Sequence, residues 1–332
     1  AELVQGLQLE SIANLEKVLH DLTNEYDRIA FSFGSDQLIE TTVLQTIQFQ
    51  RRLGRTRNFA LDVCDSRTLV GSLRAIKEQD EIANLKLAGQ KSSLVHQKLM
   101  QQKLIGRSEK EISNWIEAQF LLENMQWTSY ETIVGAGSRS TVLHARATNQ
   151  IVKENQLVLV DAGAEWKGYC ADITRTLPSG DKFSSEQRYV YEIVLAAQKA
   201  ALNAIRPGEA LQSIHETVLE VFKEKLQTVI PLKRFMPHST SHWIGLDVHD
   251  PCAYLDDQGK PIKLQNGMCL TVEPGLYFNQ IEGFEKFNGI GVRIEDDVVV
   301  TENGFEFLTA VQKEIDEIEQ LRAISHTRLN AR

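Results

Sequence analysis

The chain has 332 residues, of which 42% are hydrophobic and 24% are charged, a composition that excludes collagen-like, low-complexity and wholly disordered proteins. At roughly 150 residues per domain, this length predicts one large domain or two. The 45 acidic residues outnumber the 36 basic ones and give a net charge of −9, so the field of the molecule repels nucleic acid and anionic membranes.

The cysteines and the apolar runs indicate the compartment. Only four cysteines occur, and their spacing fits neither a zinc ribbon nor a dense disulfide framework. No apolar run approaches the ~20 residues of a membrane span, and the first ten residues do not resemble a signal peptide. We therefore expect a cytoplasmic protein with no membrane partner and no nucleic-acid partner. Because the chain begins at Ala1 without a methionine, whether it is a fragment stays open.

The first 70 residues mix helical and strand-like segments. A polar helix, the apolar run Ile29–Phe33, a helix rich in Gln and Leu and the strand-like run Asn58–Val63 follow one another. Next, residues 78–102 carry apolar side chains at helical spacing. Ser108 and Glu111 then form a capping box, which predicts the start of another helix.

The rest of the chain repeats this alternation of helices and strands. A helix capped by Ser184 should end before Arg206, and apolar residues from Leu211 to Phe222 line one face of the next helix. Strand-like runs occupy residues 157–160, 169–177, 268–272 and 291–300. The predicted class is α+β. A pair of helices beside a pair of strands occurs twice along the chain, which indicates two related halves.

Residues 158–172 predict a β-hairpin that carries two aspartates. If residues 166 and 167 form the loop, Asp161 lies opposite Asp172. If residues 167 and 168 form it, Asp161 lies opposite Thr174 and Asp172 is its diagonal neighbour. In both registers the two carboxylates share a face, whereas a loop of odd length would put them on opposite faces. Like charges on an apolar strand are destabilising unless a cation lies between them. This favours a metal site over one exposed and one turn-capping aspartate.

Three of the eight histidines, His238, His242 and His249, fall within twelve residues. His238 and His242 are four residues apart, a spacing that places both on one face of a helix or a strand. A lone histidine in an apolar segment is usually a packed core residue. Three together near carboxylates indicate metal ligands and proton carriers.

Two further acidic residues, Glu273 and Glu295, occur in strand-like segments, and Arg293 shares a face with Glu295. The simpler interpretations are a salt bridge for Arg293 and an edge-strand charge for Glu295. Four carboxylates and one imidazole suit Mn²⁺, with Co²⁺ or Zn²⁺ as alternatives, and the excess of negative ligands suits two ions. Two such ions can bridge a water molecule and promote amide hydrolysis.

The order and spacing of these motifs resemble a known family. D-A-G, D-I-T-R-T, H-x-x-x-H-W-x-G-L-D-V-H-D, T-V-E-P-G-L-Y and G-I-G-V-R-I-E-D-D follow one another as in the pita-bread-fold metallopeptidases, specifically aminopeptidase P and prolidase. The likeness runs from about Leu73 to the C-terminus. It implies an exopeptidase that hydrolyses Xaa-Pro bonds at peptide N-termini with a bridging water or hydroxide on a dinuclear, usually Mn²⁺, centre. Its substrates would be peptides with proline at the second position.

The resemblance also implies a role for each site residue. The implied metal ligands are Asp161, Asp172, His242, Glu273 and Glu295. His238 and His249 match histidines that contact substrate, and His144 matches a third that lines the substrate pocket. We place Arg293 with these histidines in the catalytic set; a surface-strand histidine is the alternative for His144.

The family implies two domains. We expect a partial N-terminal creatinase-like domain of the α/β type over residues 1–70 and the pita-bread catalytic domain, with pseudo-two-fold halves, over residues 71–332. In the family the N-terminal domain helps to close the site, often across a subunit boundary. Only its distal part is recognisable here, so a homo-oligomer and the preference for peptide length stay open.

Four alternatives were weighed. Xaa-Pro dipeptidase, or prolidase, shares the ligand set, and methionine aminopeptidase shares the ligands and the fold. The segments Asp172–Pro178 and Trp243–Asp250 favour the proline-specific branch over methionine aminopeptidase. Creatinase lacks the metal ligands. Catalytically inactive binding proteins of this fold have lost ligand residues, whereas all five are present in this chain.

Overall fold

A computed structural model describes residues 10–34, 36–52 and 62–327. The chain divides into two compact units, Ala1–Leu73 and Arg74–Arg332. None of the helices in the described ranges combines the length and the apolar character needed to cross a membrane.

The first unit pairs two parallel strands with helices. In chain order it contains α1 (Leu15–Leu22), β1 (Arg28–Phe31), α2 (Gln37–Arg52), β2 (Asp62–Asp65) and α3 (Ser66–Arg74), which ends just beyond the unit. Phe31, Val43 and Ile47 form its buried core. The predicted run Ile29–Phe33 corresponds to β1. Of the predicted run Asn58–Val63, residues 58–61 lie outside the described residues, and β2 begins at Asp62.

The second unit confirms the predicted helices. They are α4 (Gln79–Met100), α5 (Glu109–Leu122), α6 (Ser185–Ala204) and α7 (Leu211–Leu226). A further helix that was not predicted, α8 (Ile315–Thr327), follows the last strand. Ser108 caps α5 and Ser184 caps α6, each in a capping box. Ile214, Val218 and Phe222 form the buried face of α7, as the apolar spacing predicts.

Strands fill the intervals after each helix pair, which confirms the α+β class and the repeated arrangement. The first set is β3 (Trp127–Thr128), β4 (Ile133–Ala136), β5 (Leu157–Asp161), β6 (Ala164–Trp166), β7 (Tyr169–Cys170) and β8 (Thr174–Pro178). The second set is β9 (Cys269–Val272), β10 (Gly275–Phe278), β11 (Ile290–Arg293), β12 (Asp296–Thr301) and β13 (Gly304–Phe307). The sheets run β4-β5-β8, β3-β6-β7, β13-β12-β9 and β10-β11.

Two predicted strands prove to be interrupted. The run 169–177 is divided into β7 and β8, and the run 291–300 into β11 and β12. The partner strands are interrupted at the same levels, between β5 and β6 and between β9 and β10. Hydrophobic patterning does not reveal the gaps in the two predicted runs, because residues 171–173 and 294–295 are buried like their neighbours. Asp172 lies in one gap and Glu295 in the other.

Candidate metal centre

One cavity of about 500 Å³ gathers every residue that the sequence nominates for chemistry. Its lining includes the five predicted metal ligands and the four predicted catalytic residues. These nine residues are His144, Asp161, Asp172, His238, His242, His249, Glu273, Arg293 and Glu295. They come from segments spread over 152 positions of the chain, between His144 and Glu295.

The first hairpin adopts the second of the two predicted registers. Asp161, the last residue of β5, pairs with Thr174 at the start of β8, and Trp166 pairs with Tyr169, so residues 167 and 168 form the loop. Lys167 and Gly168 have φ values of 51° and 86°. Positive φ at both positions is the requirement of a type I′ turn, and glycine meets it without steric cost.

Tyr130 joins the two aspartates. Its hydroxyl oxygen lies 2.5 Å from Oδ1 of Asp161 and 2.5 Å from Oδ1 of Asp172. The two carboxylate oxygens therefore face the same point, as the hairpin geometry predicts, although Asp172 itself lies in the gap before β8. The backbone N–H of Asp172 donates to Oδ2 of Asp297 over 2.8 Å, which holds this gap in place.

The second hairpin brings two glutamates to opposite positions. Val272 pairs with Asp296 and Gly275 with Arg293, so the register is the same on both sides of the gap, and Glu273 faces Glu295 across it. Thr174 connects the two hairpins: its hydroxyl donates to Oε2 of Glu295 over 2.7 Å, and its carbonyl accepts from the N–H of Glu295. Each half thus contributes two acidic residues at an interrupted strand pair.

His238, His242 and His249 face the same cavity, but not because of the helical or strand spacing that the sequence suggested. Residues 238–250 form neither a helix nor a strand, so the spacing of four does not itself align the side chains. Instead, the N–H of His242 donates to the hydroxyl of Thr271 on β9. This places Nε2 of His242 3.4 Å from Oδ2 of Asp172 and 3.8 Å from Oε1 of Glu273. The ring of His249 packs edge-on against His242 at 4.3 Å.

The donor set fits a metal ion. Ligand atoms of Asp172, His242 and Glu295 all lie within 4.8 Å of one another. Asp161 and Glu273 line the same cavity and complete a set of four carboxylates and one imidazole. Carboxylate oxygen and imidazole nitrogen are ordinary ligands of divalent transition metals.

The electrostatics support the same conclusion. Burial raises the pKa of Asp161 to about 6 and that of Glu273 to about 7, and it raises the pKa of Glu295 well above its usual range. Burial disfavours the charge of His242, but the Asp172 carboxylate outweighs it and raises the pKa of His242 to about 9. Three buried acidic residues and one partly buried one, with little compensating positive charge, form an environment in which a divalent cation is stabilising.

Arg293 and His238 form a second, hydrogen-bonded layer. Arg293 donates from Nη1 to the Tyr277 hydroxyl over 2.9 Å, and that oxygen lies 2.9 Å from Nε2 of His238. Nδ1 of His238 lies 2.7 Å from the carbonyl of Ser239, which can only accept, so Nδ1 carries the proton and Nε2 accepts from Tyr277. Burial, assisted by Arg293, lowers the pKa of His238 to about 4, so this imidazole is neutral.

Sequence reasoning missed four residues that shape this site. Tyr130, Thr174, Tyr277 and Asp297 each contact a nominated ligand or catalytic residue. Thr174, Tyr277 and Asp297 lie within the motifs D-I-T-R-T, T-V-E-P-G-L-Y and R-I-E-D-D, so their positions could have been marked. Tyr130 lies 31 residues before Asp161 and carries no local signal.

Comparisons with known proteins show the family to which the chain is similar. Metallopeptidase family M24 matches residues 83–302. The Xaa-Pro aminopeptidase of Escherichia coli (strain K12) is 35% identical over 327 residues, covering 94% of this chain and 74% of the relative. The Xaa-Pro aminopeptidase of Haemophilus influenzae is also 35% identical and covers 96% and 74%.

Solved structures extend the comparison to the fold. An E. coli aminopeptidase P variant superposes with a TM-score of 0.86 at 34% identity, over 96% of this chain and 76% of that one. The E. coli aminopeptidase P structure with the inhibitor Pro-Leu gives a TM-score of 0.85 at 34% identity, over 95% and 75%. These matches confirm the predicted family resemblance and the pita-bread fold.

Proposed function

The chain belongs to metallopeptidase family M24, and we propose that it is a metal-dependent exopeptidase of the aminopeptidase P type. It would hydrolyse the bond between an N-terminal residue and the proline that follows it. The observation that carries the proposal is the convergence of four carboxylates and His242 in one cavity, on a fold shared with Xaa-Pro aminopeptidases.

The proposed cofactor is a pair of divalent ions, with Mn²⁺ favoured and Co²⁺ or Zn²⁺ as alternatives. Asp161, Asp172, His242, Glu273 and Glu295 would hold them. The charge balance supports two ions rather than one, because a single divalent ion leaves two of the four carboxylates uncompensated except by Arg293. When bound, such ions supply Lewis acidity and lower the pKa of a water molecule. A solved E. coli aminopeptidase P is described as zinc-substituted, so zinc is accepted by a protein of this fold.

The residues of this chain would orient the reacting groups. The Arg293 guanidinium fixes the Asp161 carboxylate at 2.6 Å and the Tyr277 hydroxyl at 2.9 Å. Tyr277 in turn holds the neutral His238 ring, whose Nδ1 keeps a proton near Glu273 at 3.6 Å. His144 and His249 line the same cavity and would contact the peptide. We propose that these three histidines orient substrate and steady the tetrahedral intermediate by hydrogen bonds.

The choice between aminopeptidase and dipeptidase is tested with two substrates. Purified protein loaded with Mn²⁺ is assayed on the dipeptide Gly-Pro and on a Xaa-Pro-Xaa tripeptide. Faster cleavage of the tripeptide is expected. Exclusive cleavage of Gly-Pro would identify a prolidase instead. Failure to cleave either, with metal bound, would favour an inactive binding protein of this fold.

Metal analysis on the same preparation tests the cofactor. We expect close to two ions per chain and loss of activity on chelation, with recovery when Mn²⁺ is returned. A stoichiometry near one would remove the dinuclear part of the proposal and leave the reaction class intact. A stoichiometry near zero would contradict the metal centre altogether.

A further inference from the structure

We propose that Glu109, the first residue of α5, is a positioning residue that sets the direction of His144 in the cavity. The proposal rests on the proposed function, because the effect of His144 is read through peptide cleavage. It concerns a carboxylate that belongs to no motif in the sequence and that is not among the residues lining the cavity.

Glu109 is a fully buried carboxylate with an unusual number of donors. Its Oε1 accepts from the backbone N–H of Ala136 and from Nε of Arg139, both at 2.9 Å. Its Oε2 accepts from Nε of Arg139 at 3.0 Å and from the backbone N–H and the hydroxyl of Thr148 at 3.0 and 2.7 Å. A buried charge is tolerated only when it is paired and hydrogen-bonded, and Glu109 meets both conditions.

These donors lie at the two ends of a single loop. Ala136 ends β4, and Thr148 follows His144 by four residues, so one carboxylate ties both ends of residues 137–147 together. Arg139 extends the connection, since its Nη2 donates to the carbonyl of Arg146 over 2.6 Å. The hydrogen bonds of Glu109 therefore fix the backbone on both sides of His144.

His144 depends on this backbone for its orientation. Its side chain is exposed at the cavity wall, and within the described part of the chain its ring makes no hydrogen bond. Its neighbours are fixed instead: the carbonyl of Leu143 accepts from Arg293, and the carbonyl of Ala145 accepts from the N–H of Val134. The backbone therefore fixes the point from which this imidazole projects and the side-chain rotamers that are open to it.

Glu109→Gln tests this dependence with little change in shape. If Oε1 becomes the amide nitrogen, the N–H of Ala136 loses its acceptor, and if Oε2 does, the N–H and the hydroxyl of Thr148 lose theirs. In either case the charge that pairs with Arg139 is gone. Glu111→Gln is the matched control, because Glu111 lies in the same first turn of α5 but, among the residues that the structure describes, its side chain bonds only to its own cap, Ser108.

The decisive measurement is a double-mutant cycle on kcat/KM for a Xaa-Pro-Xaa tripeptide, with metal content measured on each preparation. We expect Glu109→Gln to reduce kcat/KM by about 10-fold and His144→Ala by about 100-fold. With His144 already replaced, Glu109→Gln should cost less than about 2-fold, since two residues that act through one group are not additive. Glu111→Gln should change kcat/KM by less than about 2-fold.

An equal 10-fold loss in both backgrounds would overturn the proposal, because Glu109 would then act independently of His144. If Glu109→Gln does not fold, Thr148→Val replaces it in the cycle, since it removes one 2.7 Å bond without leaving a buried charge unpaired.

Amide hydrogen exchange over residues 142–147 keeps this test separate from the proposed function. Exchange should accelerate in Glu109→Gln and not in Glu111→Gln, whether or not the protein cleaves Xaa-Pro peptides. If the wild-type chain does not cleave Xaa-Pro peptides but exchange still accelerates in Glu109→Gln, the proposed function is refuted and the positioning of the His144 backbone is supported. Unchanged exchange in Glu109→Gln would refute the positioning itself.

Discussion

Arg293 donates from Nη2 to Oδ2 of Asp161 over 2.6 Å, and only 4% of the arginine is exposed. The same guanidinium donates to Thr174 from Nε and to Tyr277 from Nη1. One planar cation thereby links the first hairpin, the second hairpin and the His238 layer. It supplies a fixed positive charge next to a site whose other ionisable groups are mostly acidic.

This linkage predicts the effect of Arg293→Lys. Lysine keeps the charge but presents a single ammonium group, which cannot reach Asp161, Thr174 and Tyr277 together. We expect kcat/KM to fall by about 10- to 100-fold, with metal content close to that of the parent. Paired metal analysis and peptide cleavage measure both quantities. Wild-type kcat/KM in this variant would mean that the charge alone is required.

Asp172→Asn tests the carboxylate that lies beside Tyr130, His242 and Glu295 in the proposed metal centre. The change is nearly isosteric, so the hydrogen bond from the backbone N–H of residue 172 to Asp297 can persist. The negative charge of the carboxylate beside His242 and Tyr130 is lost. Turnover should fall at least ~100-fold while the protein remains folded. Turnover is measured as kcat at saturating Mn²⁺, and a circular dichroism spectrum checks that the variant is folded. A rate near that of the parent would assign Asp172 a purely structural role.

His238 and His242 should separate catalysis from metal binding. His242 lies within ligand distance of Asp172 and Glu295, whereas His238 is hydrogen-bonded to Tyr277 and Ser239. We expect His242→Ala to lose metal affinity. His238→Ala should retain metal and lose about 100-fold or more in kcat/KM. Equal metal loss in the two variants would show that the assignment of His242 to metal binding and of His238 to catalysis is wrong.

Asp250 predicts a stability effect outside the metal site. Its fully buried side chain lies 3.0 Å from Nζ of Lys77, which is 2% exposed, and it also pairs with Arg74. Asp250→Asn leaves the Lys77 ammonium buried without its counter-charge, so we expect a loss of about 2–4 kcal/mol in the free energy of unfolding. Urea denaturation measures it. In the control Asp247→Asn, an exposed partner of Arg74, the change should stay within about 0.5 kcal/mol. Equal losses in the two variants would contradict this account.

Much of the fold could be predicted from the sequence, and the nine residues nominated from it line one cavity, while their individual roles stay predictions. The capping residues Ser108 and Ser184 and the apolar face of α7 are local features, so their helices could be predicted with near-correct bounds. The hairpin argument placed Asp161 and Asp172 on one face, because that conclusion holds in either register. The motif order then indicated the family.

The tertiary structure decided what depends on contacts between distant segments. The conformation of Lys167 and Gly168 selected the register, and the gaps that hold Asp172 and Glu295 follow from how the two hairpins meet at Thr174. Tyr130 reaches across 42 residues to Asp172, and Glu109 across 39 to Thr148. Hydrophobic periodicity records only whether a side chain is buried. The atom that a buried hydroxyl or carboxylate meets is set by the packing of elements far apart in the chain.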